Sequence, residues 1–124
     1  MGHPKNPKTR GPVAVVNKPW GREIWIANNT LYCGKLLEIE PGQRFSMHMH
    51  MQKVESWYLH QGTLKFSYID TEVGKTHEVV FEAGQCVDIA RGQPHQLECT
   101  SECKAVIFEV STQHVDADSY RIWR

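Results

Sequence analysis

The stretch Gly42-Gln43-Arg44-Phe45-Ser46-Met47-His48-Met49-His50-Met51-Gln52-Lys53-Val54-Glu55 alternates apolar with polar side chains over most of its length. Alternation with a period of two is the pattern of a β-strand, whose side chains point to opposite faces in turn. Arg44, Ser46, His48 and His50 then share one face, and Met47, Met49 and Met51 the other. Two imidazoles on one face are not the lining of an ordinary dry core. The methionine face is expected to meet apolar surroundings, either a second sheet or a partner subunit.

Outward from this strand the same texture continues in both directions. Short runs rich in Val, Ile, Phe, Tyr and Trp cover 23–27, 31–40, 44–51, 56–61, 63–69, 77–81, 85–90, 95–99 and 104–111. Turn residues break them at Asn28-Asn29, Pro41-Gly42, Gln61-Gly62, Asp70–Gly74, Ala83-Gly84, Gly92–Pro94 and Thr100-Ser101. No segment sustains a helical period. Many short strands with frequent turns predict an all-β sandwich or barrel. The chain of 124 residues is long enough for one core and too short for two. Met1–Pro12, with three prolines, two glycines and almost nothing apolar, reads as a flexible arm, leaving Val13–Arg124 as the single domain.

Fourteen basic residues balance fourteen acidic ones. A neutral chain lacks the long-range attraction to polyanions, so neither nucleic acid nor an anionic membrane surface is an expected partner, and a small-molecule substrate is. No apolar run reaches membrane-spanning length and no hydrophobic leader is evident, which predicts a cytoplasmic location. Cys33, Cys86, Cys99 and Cys103 form no CxxC pair and are read as reduced thiols, with Cys99 and Cys103 close enough in sequence for one disulfide.

His48 and His50 in i, i+2 relation, Glu55 across a short loop and His95 just after the Gly92-Gln93-Pro94 turn make a four-ligand metal set. His60, His77 and His114 are read as ordinary strand or surface residues, and His3 belongs to the arm. Taken singly, Glu55 is a loop carboxylate and His95 a turn residue; taken together, the spacing is restrictive.

These residues fit a family pattern. Gly42-x5-His48-x-His50-x4-Glu55-x6-Gly62 resembles the first signature of the cupin superfamily, and Gly84-x5-Ala90-x-Gly92-x2-His95-x3-Cys99 the second. Ala90 stands where a proline is usual and Cys99 where an asparagine is, and neither position is a metal ligand in the family. The resemblance implies a jelly-roll-like barrel, the double-stranded β-helix, holding one divalent ion (Zn, Mn, Fe, Ni or Co) on His48, His50, Glu55 and His95. Within the superfamily, Asn17–Gly21, Gly34–Leu36, Pro41–Ser46, Glu55–Tyr58, Gly92–Glu98, Phe108–Val110 and Asp118–Arg121 look like the cupin-type mannose-6-phosphate isomerases. That branch usually has glutamine where this chain has His48. Its bifunctional members add a nucleotidyltransferase domain whose glycine-rich loop has no counterpart here, so guanylyltransferase activity is not expected.

Isomerisation of a hexose or hexose phosphate is the leading expectation. A divalent ion would supply the Lewis acid, Arg44 an anchor for a phosphate or sugar oxygen, and Lys53 and Arg91 weaker anchors on flanking loops. By strand parity Glu109 and Tyr68 point inward and are the candidates for the base, Glu109 also matching a glutamate of the isomerase branch; Glu109 reads equally as a residue orienting a ligand histidine. Trp57 is either a wall for a sugar ring or ordinary core. The alternatives are an iron-dependent dioxygenase, a lyase or decarboxylase on a small carboxylate, and a sugar-binding module without chemistry. The methionine face and exposed strand edges predict a homodimer.

Overall fold

In the computed structural model, which describes residues 6–124, the chain is all-β. Among the described residues the strands are β1 (Ala14–Lys18), β2 (Gly21–Asn28), β3 (Cys33–Ile39), β4 (Met47–Met49), β5 (Glu55–Gln61), β6 (Thr63–Asp70), β7 (Lys75–Glu82), β8 (Cys86–Ile89), β9 (His95–Cys99), β10 (Ala105–Ser111) and β11 (Tyr120–Trp123). One 3-10 turn, Asp116–Asp118, precedes β11. Two antiparallel sheets result, one in the order β1-β2-β3-β10-β5-β8 and the other β11-β4-β9-β6-β7. The first half of the arm lies outside the described residues. Its second half, 6–12, is exposed and carries no strand, with Arg10 donating to the Ile26 carbonyl at 2.9 Å.

Period-two patterning explains which way each strand faces. In β3, Cys33, Lys35, Leu37 and Ile39 are buried while Gly34, Leu36 and Glu38 are only partly so; in β10, Ala105, Ile107 and Glu109 are buried and Phe108 and Val110 exposed. The inward positions of both sheets meet in one core that includes Trp20, Leu37, Ile39, Phe45, Trp57, Leu59, Leu64, Phe66, Phe81, Leu97 and Ile107. Burying such side chains contributes roughly 1.5–3 kcal/mol each, the main favourable term of a sandwich this size. Gly21 is the one residue that fits where β2 begins: its φ is +152°, and a Cβ there would stand 1.9 Å from the Glu38 carbonyl oxygen.

Two features depart from the sequence expectation. The strand expected over 44–51 is regular only at Met47–Met49; Arg44 makes an isolated bridge to Glu98, and Phe45 turns into the core beside His48, so parity breaks before β4. The methionines therefore do not form an exposed stripe. Met47 is fully buried, Met49 is half-buried and only Met51 is exposed. The free edge of β4 is taken by β11, with Met47 opposite Trp123 and Met49 opposite Tyr120. All four cysteines are free thiols; Cys99 Sγ donates to the Cys103 carbonyl at 3.4 Å rather than bonding its sulfur.

Candidate metal centre

His48 and His95 are direct cross-strand partners of β4 and β9, and His50 follows at the end of β4. Short-range pairing thus brings a residue from position 95 next to one from position 48. Glu55 opens β5 on the facing sheet. One imidazole nitrogen from each of His48, His50 and His95 lies within 4.8 Å of the others. Which nitrogen is settled by the backbone. The Nδ1 atoms of His48, His50 and His95 lie 2.7, 2.9 and 2.9 Å from the carbonyl oxygens of Ser46, Asp118 and Gln93. A carbonyl can only accept, so each Nδ1 carries the proton and each Nε2 presents a lone pair.

Glu55 Oε1 stands 3.2 Å from His95 Nε2 and 3.9 Å from His50 Nε2. Both Glu55 Oε1 and His95 Nε2 are buried without a hydrogen-bond partner. Two lone pairs facing each other in a buried site repel, and native proteins rarely leave such atoms unpaired. A proton between them would satisfy this pair alone. A divalent cation satisfies the pair together with the lone pairs of His48 and His50, and three imidazoles with one carboxylate is a donor set suited to a first-row transition metal. The residues present therefore fit the ion that the sequence motif implies.

The electrostatics agree. Burial, and then the neighbouring charge of His95, holds His48 down to about 3; burial and then the Lys53 ammonium holds His50 down to about 4. Both are neutral, as ligands must be. Burial alone would raise Glu55, yet its charged surroundings, the Lys53 ammonium beside it among them, outweigh burial and hold it below the ordinary carboxylate range.

Beside Glu55 lies a buried cation, Lys53, that the sequence reading placed on a flanking loop as a weaker anchor for the substrate. Lys53 Nζ is 3.3 Å from Glu55 Oε2, 3.2 Å from Glu109 Oε2 and 3.3 Å from His114 Nδ1. Lys53 thus sits between two carboxylates rather than on an open loop facing a phosphate. Glu109 is buried, its Oε1 accepting from Trp57 Nε1 at 3.4 Å. Burial and then the charge of Glu55 push Glu109 up to about 7, against the pull of Lys53.

The ligands open into a cavity of about 910 Å³. Trp57, Lys53, Glu109 and Arg44 all line it. Arg44 is at the rim, 3.7 Å from Glu98 and donating to the Arg124 carbonyl at 3.2 Å. Arg91 does not line it; its Nε donates to the Gln52 carbonyl at 2.7 Å and ties two loops together. Tyr68 also stays outside the lining, packed between Phe66 and His77 at 5.4 and 5.2 Å. The lining adds residues that sequence reasoning passed over. His114 joins the wall, and Lys35, almost fully buried, places its Nζ 4.2 Å from the Trp25 ring centre and 3.5 Å from Glu23. The alternation of β3 was a usable signal for Lys35, since it falls among inward positions. Nothing local marks His114.

Residues 35–111 match the family described as the cupin domain. No curated protein sequence matches the chain. Among solved structures, the capsular polysaccharide assembling protein CapF from Staphylococcus aureus is similar with a TM-score of 0.80 at 17% identity, over 91% of this chain and 35% of that one. Oxalate decarboxylase from Bacillus subtilis is similar with a TM-score of 0.78 at 15% identity, over 88% of this chain and 30% of that one. An oxalate oxidase matches 66% of this chain with a TM-score of 0.62 at 19% identity. The chain spans about a third of the length of the first two. At these identities the likeness is one of fold.

Proposed function

Because this chain belongs to the cupin family, with three histidines and a glutamate converging in one cavity, we propose that it is a metal-dependent isomerase of a hexose or hexose phosphate. The observation that carries this reading is the juxtaposition of the ligand cluster with a second, buried carboxyl, Glu109, on the wall of the same cavity. An aldose–ketose exchange moves a proton between adjacent carbons while a hydroxyl proton moves to the former carbonyl oxygen. It needs a polarising cation and a base near each other. His48, His50, His95 and Glu55 would hold the divalent ion, which would supply Lewis-acid polarisation of a carbonyl.

The chain's own residues supply the rest. Glu109 takes the proton from one carbon and returns it to its neighbour, its carboxylate held in place by Lys53 and Trp57. Trp57 and Trp25 are aromatic walls for a sugar ring. Six basic side chains line the cavity against five acidic ones, and a bound divalent ion adds two further positive charges, which favours an anionic substrate in an otherwise neutral chain. Arg44 and Arg121 at the mouth are the anchors for a phosphate. A volume of about 910 Å³ accommodates a ligand far larger than a two-carbon acid.

The test is to load the protein with each of several divalent ions and follow mannose 6-phosphate, fructose 6-phosphate and glucose 6-phosphate by NMR. Interconversion that is lost in Glu109→Gln, with metal still bound, is the expected result. No turnover with any ion, or turnover of oxalate instead, overturns the isomerase reading.

A further inference from the structure

Strand register makes Trp25, Lys35, Glu109 and Trp57 successive partners across β2, β3, β10 and β5, and all four side chains line the cavity into which the ligands open. Lys35 is 2% exposed, a cation at a position that strand parity gives to the core. Its ammonium is held from two sides, 4.2 Å from the centre of the Trp25 ring and 3.5 Å from Glu23 Oε1. Those two contacts fall short of the three donors that a buried ammonium has to satisfy. Glu23 is fixed as well, its Oε1 accepting from Trp25 Nε1 at 2.9 Å. Both contacts use Oε1; among the described residues Oε2 has no hydrogen bond, and Glu23 also lines the cavity. The isomerisation outlined above makes no use of this pair.

We propose that Lys35 and Glu23 form a subsite for two adjacent hydroxyls of the substrate and so decide which hexose the cavity takes, an inference that rests on the sugar reading above. One hydroxyl accepts from the Lys35 ammonium and its neighbour donates to Glu23 Oε2, so the pair reads two groups at once. A phosphate is the wrong occupant here. It would meet the Glu23 carboxylate beside Lys35 and the Glu109 carboxyl on the paired strand, where directly opposed Cβ atoms stand about 5 Å apart. The same spacing selects the hydroxyls. With the reacting carbons C1 and C2 at Glu109, a group one strand away lies one or two carbons further along the sugar, at C3 and C4. Because Trp25 and Glu23 hold the ammonium in place before a ligand arrives, little ordering is lost on binding.

The test is calorimetric binding of mannose 6-phosphate and its 3-deoxy and 4-deoxy analogues to the metal-loaded chain, which needs no turnover. Wild type is expected to bind each deoxy sugar about tenfold or more weakly than the parent. Lys35→Met is expected to weaken the parent by a similar factor, and then to bind one of the deoxy sugars no worse than the parent. That loss of discrimination marks a contact with the sugar, since a role in packing alone would weaken all three sugars alike. Thermal unfolding and a count of bound metal report that each variant is folded and loaded. Glu23→Ala, at a less buried position, repeats the comparison for the other hydroxyl. Equal discrimination by wild type and both variants, or no binding of any of the three sugars, overturns the subsite. Lys35-dependent discrimination without turnover overturns the isomerase reading alone, and turnover without that discrimination overturns the subsite alone.

Discussion

His50 and Asp118, 68 residues apart in sequence, meet at the edge of the histidine cluster: the Asp118 carbonyl accepts the Nδ1 proton of His50 at 2.9 Å. The carboxylate of the same Asp118 accepts the backbone N–H groups of Met51, Gln52 and Lys53 at 2.9, 3.1 and 3.0 Å. One aspartate thus fixes both the orientation of the His50 ring and the path of the loop from His50 to Glu55. Backbone donors keep its carboxyl below the usual carboxylate range although burial opposes them.

Asp118→Ala leaves three loop N–H groups without their acceptor, and is expected to cost about 2 kcal/mol or more in urea denaturation. Metal affinity should fall about tenfold to a hundredfold by titration, because the loop that carries Glu55 toward His50 is released. Unchanged affinity would show that the loop holds its shape without Asp118.

Lys53→Met removes the cation between Glu55 and Glu109 and leaves two buried carboxylates facing each other. Breaking a buried ion pair from one side costs about 3–5 kcal/mol. The double substitution Lys53→Met with Glu109→Gln removes one of the stranded charges and is expected to recover part of that loss. A double-mutant cycle with no coupling would contradict the arrangement.

Glu38 supplies the pH dependence of folding on the outer sheet. Its hydrogen bond from Arg22 lowers its folded pKa, burial opposes, and Lys104 adds to the lowering. A depressed carboxyl contributes stability that is present above its unfolded value near 4.3 and lost as pH falls through the folded value. Glu38→Gln should therefore be clearly less stable than wild type at about pH 7, with the gap narrower at about pH 3. Equal stability at both pH values would show the pairing to be energetically idle.

Much of this was legible in the chain because strand parity and ligand spacing are local. His48 and His50 announce themselves, and Glu55 and His95 are recoverable because turns place them at strand starts. The runs at 63–69, 95–99 and 104–111 became β6, β9 and β10 within a residue or so. What escaped depends on distant pairing. β11 pairs with the edge of β4 from some 70 residues away, closing an edge that the sequence reading left open to a partner subunit. Lys53 reads as a loop lysine until β10 brings Glu109 to it from 56 residues away. Arg44 and Arg91 look alike in sequence, yet only Arg44 reaches the cavity rim.

The most direct test of the metal centre is equilibrium dialysis of the wild-type chain and of His95→Ala against a divalent transition metal, with bound metal counted and thermal stability followed in parallel. Wild type is expected to hold one ion per chain and to gain about 2.7 kcal/mol when free metal is a hundredfold above the dissociation constant. His95→Ala, which removes one of the two orphaned buried atoms, is expected to lose both the ion and the gain. A wild-type chain that takes up no ion, or a His95→Ala chain that binds it equally well, would contradict the convergence of His48, His50, His95 and Glu55 on a single cation.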